Sequence, residues 1–148
     1  MKIVIASDHT GIDHRRAVRE ELERLGHQCL DIGTSGEDPQ DDYPDYAIEA
    51  ARRVAAGQAD AAVCICGTGI GMSIAANKIA GIRAAVCWDE FSTRVSRTHN
   101  NANVLCLGAR VLDPATAARL AAQWTRLPFE GGRHARRLAK ITKLEKTN

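Results

Sequence analysis

One short stretch of this chain combines a reactive side chain with a glycine-rich turn. An apolar segment at 61–66 leads into the turn and a helix-like segment at 72–80 follows it; the run itself reads Cys66, Gly67, Thr68, Gly69, Ile70, Gly71. A strand, a glycine turn and a helix in succession are typical of an anion-binding turn, because glycines let the backbone approach a ligand closely and the first helical amides point at it. Thiols at helix N-termini ionise more readily than ordinary thiols. The stretch therefore offers a candidate base or nucleophile beside a place for developing negative charge.

The spacing of the glycines disfavours two common phosphate-binding motifs. Glycines at 67, 69 and 71 do not match G-x-G-x-x-G. A dinucleotide site also needs an acidic residue about 20 positions on, at the end of the following strand; none stands there, and Asp89 is the nearest candidate. The absence of a Gly-Lys-Ser/Thr sequence excludes a P-loop. Taken alone, the stretch also fits a tight turn with a buried, inert cysteine.

Composition limits the class of protein. The 148 residues suffice for one domain with a real core, and a net charge of +2 gives no strong field for nucleic acid. An odd count of five cysteines without a C-x-x-C pair indicates neither a disulfide framework nor a zinc site, and reduced thiols suit a cytoplasm. We find no signal peptide and no apolar run long enough for a membrane span. The expectation is a cytoplasmic protein of a single domain, residues 1–148, with no nucleic acid or membrane partner.

Periodicity predicts alternating strands and helices. Strands are predicted at 2–6, 28–32, 61–66, 83–88 and 103–107, and helices at 17–25, 43–56, 72–80, 90–98, 114–126 and, after a Gly-Gly turn, 133–145. A polar loop is predicted at 33–42. The strands are near-continuous apolar runs, which indicates burial on both faces. The predicted fold is α/β: a single-domain Rossmann-like αβα sandwich with a five-stranded parallel sheet and an extra C-terminal helix.

Polar side chains cluster near the ends of the predicted strands. Ligands of such sheets bind outside the carboxyl ends of the strands, so we expect one site that contains Asp8, His9, Cys66, Thr68, His99, Asn100 and Arg110. Each has a plainer alternative. Asp8 suits a helix cap, His9 a surface loop, His99 and Asn100 an ordinary helix C-terminus, and Arg110 an exposed loop.

Two arginines of the last predicted helix lie on one face. Arg133 and Arg137 are spaced i, i+4, an arrangement that costs a little repulsion and makes a fork for a phosphate group. A solvated basic face or a tail that contacts RNA would give the same pattern. The RNA alternative is disfavoured because the basic residues are not interleaved with aromatics.

With these residues in view, the chain resembles the ribose-5-phosphate isomerase B family, which also includes allose-6-phosphate and galactose-6-phosphate isomerases. The resemblance extends from residue 2 to about 145, and several motifs in order are more specific than any one. They are Ser7-Asp8-His9-Thr10-Gly11, Asp42-Tyr43-Pro44-Asp45, Ile65 to Gly71 followed by Ser73-Ile74-Ala75-Ala76-Asn77-Lys78, Gly81-Ile82-Arg83-Ala84, Ser96-Arg97-Thr98-His99-Asn100, Gly108-Ala109-Arg110 and Glu130-Gly131-Gly132-Arg133-His134.

The resemblance implies an aldose–ketose isomerase of the pentose phosphate pathway that acts on a sugar phosphate through a cis-enediolate, without metal or cofactor. Cys66 would be the base that moves a proton between C2 and C1, Thr68 would hydrogen-bond near its thiol, and His99 would open the furanose ring. By the same resemblance, the amides of Gly67, Gly69 and Gly71 would hold the enediolate oxygens. Asp8 and Asn100 would bind the sugar hydroxyls, and Tyr43 would lie along the substrate. The phosphate would be bound by His9, Arg110, Arg133 and Arg137.

The resemblance also implies an assembly, because the family builds its site between two chains. His99, Asn100 and Arg110 would come from the partner of the subunit that supplies Cys66, and the C-terminal helix, about 132–146, would contribute to the interface. Some members lack the cysteine and use a Glu at the position of Ile70, so this chain is of the cysteine type. The galactose-6-phosphate branch divides the set between two different chains, whereas the full set here favours a homodimer or a dimer of dimers.

Three functions remain open on the sequence. The leading hypothesis is interconversion of D-ribose 5-phosphate and D-ribulose 5-phosphate. A six-carbon aldose 6-phosphate, such as allose or galactose 6-phosphate, is the nearest alternative substrate, and Trp88 lies where it could trim the pocket. A non-catalytic phosphosugar-binding module is the alternative of another class, although such a module needs no thiol beside the glycine turn.

Overall fold

A computed structural model describes residues 1–37 and 41–145 of the chain. The strands are β1 (Lys2–Ser7), β2 (Gln28–Asp31), β3 (Ala61–Cys66), β4 (Ala84–Val86) and β5 (Val104–Gly108). They form one parallel sheet in the order β2-β1-β3-β5-β4. The helices are α1 (Ile12–Arg24), α2 (Tyr43–Ala55), α3 (Ile70–Ala76), α4 (Glu90–Thr98), α5 (Pro114–Arg126) and α6 (Arg133–Glu145). The predicted α/β sandwich with an extra C-terminal helix is confirmed.

Two apolar layers hold the helices against the sheet. One layer joins α1 and α5 to one sheet face through residues such as Val18, Leu22 and Trp124, and α4 packs beside α5. The other joins α2 and α3 to the opposite face through Ala47 and Met72. β1, β3 and β5 are buried on both faces beyond Lys2, as their apolar runs predicted, whereas the edge strands β2 and β4 are only partly covered.

The predicted helix at 17–25 starts too late. A short 3-10 turn, His9–Gly11, leads directly into α1 at Ile12, and α1 buries His14, Val18 and Leu22 at a four-residue spacing. The polar run at 13–16 concealed this start, because a buried histidine occupies the apolar stripe. Asp8 is the cap, and its carboxylate accepts the Thr10 backbone N–H at 2.9 Å.

The predicted helix at 72–80 is shorter and earlier, running from Ile70 to Ala76. The Asn77 side chain ends it by bonding to both backbone groups of Ala84, at 2.9 and 2.8 Å, as a neighbouring strand would. The predicted strand at 83–88 is trimmed to β4. Strand 28–32 ends one residue earlier, and strand 103–107 begins and ends one residue later. Residues 38–40 of the predicted loop and residue 146 of the predicted last helix lie outside the described residues.

The sheet has a carboxyl edge and an amino edge, and this difference decides where polar residues lie. Ser7 pairs with Ile65 and Cys66 with Gly108, so the residues that follow β1, β3 and β5 meet at the carboxyl edge. The segment between α4 and β5 lies at the amino edge, because it precedes Val104. The two edges are roughly 13 Å apart along β5, at about 3.3 Å per residue.

Candidate active site

Cys66 is the last residue of β3 and lines an open pocket at the carboxyl edge. The pocket has a volume of about 480 Å³, and its lining includes Asp8, His9, Thr10, Tyr43, Cys66, Gly67, Thr68, Ile70, Gly71, Ile74 and Arg110. The side chain is 4% exposed. Its Sγ accepts the backbone N–H of Gly69 at 3.3 Å, and this contact fixes the sulfur at the mouth of the glycine turn (residues 67–71).

Glycine is required in this turn for conformation and for space. Gly69 has φ +81° and would place a Cβ 3.0 Å from the backbone carbon of Leu107. A Cβ on Gly108 of β5 would lie 2.7 Å from the Thr68 carbonyl oxygen. The turn therefore packs directly on the end of β5, and side chains at these positions would push the two backbones apart.

Thr68 has a different partner from the one expected. Its hydroxyl accepts the Ile70 N–H at 3.3 Å, and the contact to the thiol comes from the Gly69 amide instead. The Trp88 indole donates to the Thr68 carbonyl at 3.0 Å. Trp88 thus braces the outer side of the turn; it is not among the residues that line the Cys66 pocket.

Asp8 and His9 enter the pocket from the end of β1. Asp8 is 6% exposed, and its carboxylate also accepts the Thr10 hydroxyl at 2.5 Å. Asp8 is therefore both the cap that its plainer alternative predicted and a lining residue of the pocket. His9 is half exposed, and its Nδ1 contacts Asp41 Oδ1 at 2.5 Å. The Asp41 side chain is 1% exposed. A buried carboxylate on Nδ1 fixes the imidazole so that Nε2 is left for a ligand.

Tyr43 and Arg110 complete this side of the site. Tyr43 is the first residue of α2, and its ring lies against Gly71, where a Cβ would come within 2.4 Å of it. Arg110 follows β5, and its side chain passes over Gly67. A Cβ on Gly67 would lie 3.4 Å from the guanidinium Nε of Arg110. The expectation that Arg110 comes from a partner is wrong for this fold, since it lines the pocket of the Cys66 in its own chain.

His99 and Asn100 do not reach this pocket. They lie at the amino edge, because α4 runs antiparallel to the sheet and ends at Thr98, before β5 begins. The expected grouping at the carboxyl ends of the strands is therefore wrong within one chain: the segment from α4 into β5 is at the opposite edge. Arg133 and Arg137 belong to α6, whose N-terminus is tied to the same region by the Glu130 N–H, which donates to the Thr98 carbonyl at 3.0 Å.

The amino-edge residues form a compact group of their own. The His99 and His134 rings stack with centroids 4.1 Å apart and planes 8° apart. Glu130 Oε2 lies 3.8 Å from His99 Nε2 and 3.9 Å from His134 Nε2. Burial, followed by the charges of His99, Arg133 and Arg137, lowers the pKa of His134, and Glu130 partly opposes the shift.

Three ligand atoms from His99, Glu130 and His134 lie within 4.8 Å of one another, a spacing at which a metal site must be considered. A metal bound by imidazole nitrogens lies in the plane of each ring at about 2.0–2.1 Å. Two stacked rings whose centroids are 4.1 Å apart and whose planes differ by 8° do not both direct a nitrogen lone pair at one ion within that distance. The group as it stands is a stacked pair beside a carboxylate, not a metal centre.

One chain thus carries two polar groups at opposite edges of its sheet. The cysteine half comprises Asp8, His9, Tyr43, Cys66, the glycine turn and Arg110, and the histidine half comprises His99, Asn100, Glu130, Arg133, His134 and Arg137. The sequence predicted no role for Asp41, Glu130 or His134. Glu130 and His134 lie inside a quoted motif, and Asp41 directly precedes another, so position beside a motif was the available signal.

A larger concavity, of about 890 Å³, lies between α1 and α5, and none of its lining residues belongs to either half. Its floor is alanine and its rim is charged, with residues such as Ala118, Glu21 and Arg126. It contains no nucleophile or histidine, so the smaller pocket at Cys66 is the better candidate site.

Among the described residues, no helix is both long and apolar enough to cross a membrane.

Comparison with known proteins gives consistent matches over the whole fold. A family model described as Ribose/Galactose Isomerase matches residues 3–141. A putative sugar phosphate isomerase of Bacillus subtilis is 44% identical over 148 residues, covering 100% of this chain and 99% of that protein. Ribose-5-phosphate isomerase B of Escherichia coli is 42% identical, covering 97% and 96%. D-erythrulose-4-phosphate isomerase 2 of Mycolicibacterium smegmatis is 43% identical, covering 88% and 87%.

Solved structures agree with these matches. Ribose-5-phosphate isomerase B of Clostridium thermocellum has a TM-score of 0.95 and 46% identity, with 99% of each chain covered. The enzyme of the same name from Mycoplasma genitalium, solved with bound ribulose-5-phosphate, has a TM-score of 0.94 and 39% identity, with 99% of this chain and 97% of that chain covered.

Proposed function

This chain belongs to the ribose/galactose isomerase family, and from that premise we propose that it interconverts D-ribose 5-phosphate and D-ribulose 5-phosphate. The observation that carries the proposal is the position of Cys66. Its sulfur lies at the glycine turn in a pocket that also contains His9 and Arg110, groups suited to a phosphate. A base beside preorganised donors and an anchor for a phosphate is what proton abstraction next to a carbonyl requires.

The proposed chemistry moves one proton from C2 to C1 of the sugar and a second proton between the two attached oxygens. The Cys66 thiolate takes the proton from C2 of the open-chain aldose, and the electron pair moves toward the C1 carbonyl to form a cis-enediolate. The enediolate oxygens are held by backbone amides of the glycine turn, where fixed donors cost no reorganisation. The thiol then returns the proton to C1, while the proton of the C2 hydroxyl passes to the C1 oxygen, so that C1 becomes an alcohol and C2 the carbonyl. The whole cycle conserves atoms and needs no oxidant.

The histidine half supplies ring opening in the proposal. His99 protonates the ring oxygen of the furanose while the C1 hydroxyl loses its proton to water, so that the bond between C1 and the ring oxygen breaks and the aldehyde that Cys66 acts on is released. Because the two halves lie at opposite edges of one sheet, His99 and Asn100 must reach the Cys66 pocket from a second copy of the chain, together with Arg133 and Arg137. We therefore propose a homodimer, or a dimer of such dimers, in which each pocket uses both chains.

Exposed apolar side chains support the assembly. Ile74 beside the pocket is 57% exposed, and Ile141 and Leu144 on α6 are 50% and 65% exposed. α6 buries only His134 within its own chain, so most of its surface is available to a partner.

A cytoplasmic location also belongs to the proposal, since all five cysteines are free thiols, as in a reducing compartment.

A four-carbon substrate is a second candidate, favoured by the 43% identity to a D-erythrulose-4-phosphate isomerase. Six-carbon aldose 6-phosphates, the alternative that the sequence left open, belong in the same substrate panel. The three classes share the phosphate and the α-hydroxy aldehyde, so they differ only in chain length and in whether a ring must open. Relative kcat/KM on the three decides between them.

The test compares the wild type, Cys66→Ala and Cys64→Ala on ribose 5-phosphate in the presence of EDTA. Cys64 is on the same strand and fully buried, so it controls for loss of a thiol from β3. We expect turnover by the wild type and by Cys64→Ala, and a loss of about 10²–10⁴-fold in Cys66→Ala. Activity in all three would remove Cys66 as the base, and activity in none would remove this reaction.

A further inference from the structure

The stack of His134 on His99 is an unusual use of a buried histidine. His134 is 6% exposed and is the buried residue of α6, while the His99 side chain is 34% exposed and open along its edge. His134 Nε2 is buried without a hydrogen-bond partner among the described residues. A buried polar atom left unpaired costs free energy, so a histidine here needs a reason other than hydrogen bonding.

The stack is held from both sides by backbone contacts. His99 is the C-cap of α4, and its N–H donates to the Val95 carbonyl at 2.9 Å. The His134 N–H donates to the Gly131 carbonyl at 3.0 Å at the start of α6, and the neighbouring Glu130 is bonded to Thr98. These contacts hold the backbones that carry the two rings together, and His134 covers one face of His99.

Charged groups surround the stack. Burial lowers the pKa of His134, and its other charged neighbours are His99, Arg133, Arg137 and Glu130. Two stacked imidazolium ions would repel each other, and His134 is the deeper of the two. Glu130 Oε2 is 3.8 Å from His99 Nε2, too long for a hydrogen bond, and it places a negative charge beside the stack.

We propose that His134 is a positioning residue for ring opening, whose flat imidazole fixes the plane of the His99 ring while Glu130 provides the counter-charge. The proposal rests on the function proposed above, in which His99 is the acid. It assigns a role to two residues that the motif alone leaves without one.

The physical reason is alignment. A general acid must direct its N–H along the line to the ring oxygen, and an imidazole at the end of a helix can otherwise rotate about its side-chain bonds. A parallel stack at 4.1 Å allows only small tilts before the contact is lost. A misplacement of about 1 Å in a reacting group can cost as much as 10²-fold in rate.

A purely structural role is the competing explanation, in which His134 only anchors α6 to α4. The two differ in what a flat apolar ring should do. A platform needs a face and not a nitrogen, so His134→Phe should keep it, whereas His134→Leu fills similar space without a face. No apolar residue of α6 belongs to either core layer, so neither substitution removes packing from the centre of the fold.

The experiment measures kcat and KM on ribose 5-phosphate, and the melting temperature, for the wild type, His134→Phe and His134→Leu. A platform predicts kcat within about threefold of wild type for Phe and about tenfold lower for Leu, with KM little changed and both variants equally stable. Equal kcat in all three, or equal losses in Phe and Leu, would overturn the proposal. If the wild type shows no turnover of ribose 5-phosphate, that result would instead contradict the proposed function.

A second measurement isolates ring opening. In a Cys66→Ala background, NMR exchange spectroscopy of ribose 5-phosphate reports how fast the enzyme interconverts the two furanose anomers, which requires opening and closing of the ring. Exchange above the buffer rate is expected with His134 or Phe and reduced exchange with Leu. Exchange that is unchanged with Leu would contradict the positioning role even if kcat had fallen.

Discussion

Gly71→Ala should separate the shape of the pocket from the stability of the fold. Gly71 is the second residue of α3, and its backbone lies in the ordinary helical region because its φ is not positive. The added Cβ would lie 2.4 Å from Cε2 and 2.5 Å from Cζ of the Tyr43 ring. Ordinary contact begins at 3.4 Å, so the ring must move by at least 1.0 Å, the difference between 3.4 and 2.4 Å.

The fold should accept this movement. Tyr43 is 40% exposed, and the clash involves the far end of its side chain, which can swing toward solvent. Alanine is favoured over glycine within a helix by roughly 0.5–1 kcal/mol, which offsets the contacts that the ring gives up. We expect a free energy of unfolding within about 1 kcal/mol of the wild type. The pocket wall at Tyr43 is displaced, and kcat/KM should fall by about 10–100-fold.

A double-mutant cycle gives the sharpest assay. kcat/KM on ribose 5-phosphate and urea unfolding are measured for Gly71→Ala, Tyr43→Ala and the double variant. Since Gly71→Ala acts only by displacing the ring, it should have no further effect once the ring is absent. Full activity of Gly71→Ala, or the same loss with and without the Tyr43 ring, would refute the reasoning.

Three further predictions follow from neighbouring residues. Gly69→Ala should destabilise the fold by about 1–3 kcal/mol in urea unfolding, since Gly69 has φ +81°; an unchanged midpoint would contradict this. Asp41→Asn should raise KM by about fivefold by loosening His9, with exposed Asp45→Asn as the matched control; equal KM values would remove the positioning role. Burial raises the pKa of Cys29 to about 11, so its alkylation, followed by mass spectrometry, should be slow at pH 8 and accelerate about tenfold per pH unit toward pH 10; a rate independent of pH would contradict it.

Strand and helix order could be predicted because it rests on local signals. The buried runs of β1, β3 and β5 and the proline starts of α2 and α5 lie in the sequence itself, and the predicted bounds of α4, α5 and α6 match the structure. The start of α1 could not be predicted from apolar spacing. Its inner stripe uses His14, whose ring bonds to the Leu112 carbonyl at 2.7 Å, a contact made across 98 residues.

The cysteine half of the site was predictable in the same way, because β1, β3 and β5 place Asp8, Cys66 and Arg110 at one edge. The edge of the sheet at which His99 lies follows from topology, because α4 ends just before β5 begins, at the amino edge. Asp41 and His134 escaped assignment because their importance comes from tertiary contacts, to His9 and to His99, that no spacing along the chain reveals.

The central claim is that each active site joins the cysteine half of one chain to the histidine half of another. Its most direct test mixes Cys66→Ala with His99→Ala, two variants expected to be inactive alone, by joint unfolding and refolding at equal concentrations. Half of the dimers formed at random are mixed, and each mixed dimer has one intact site out of two. The account predicts recovery of about a quarter of wild-type activity. No recovery, from variants that refold and associate normally, would contradict a site shared between chains.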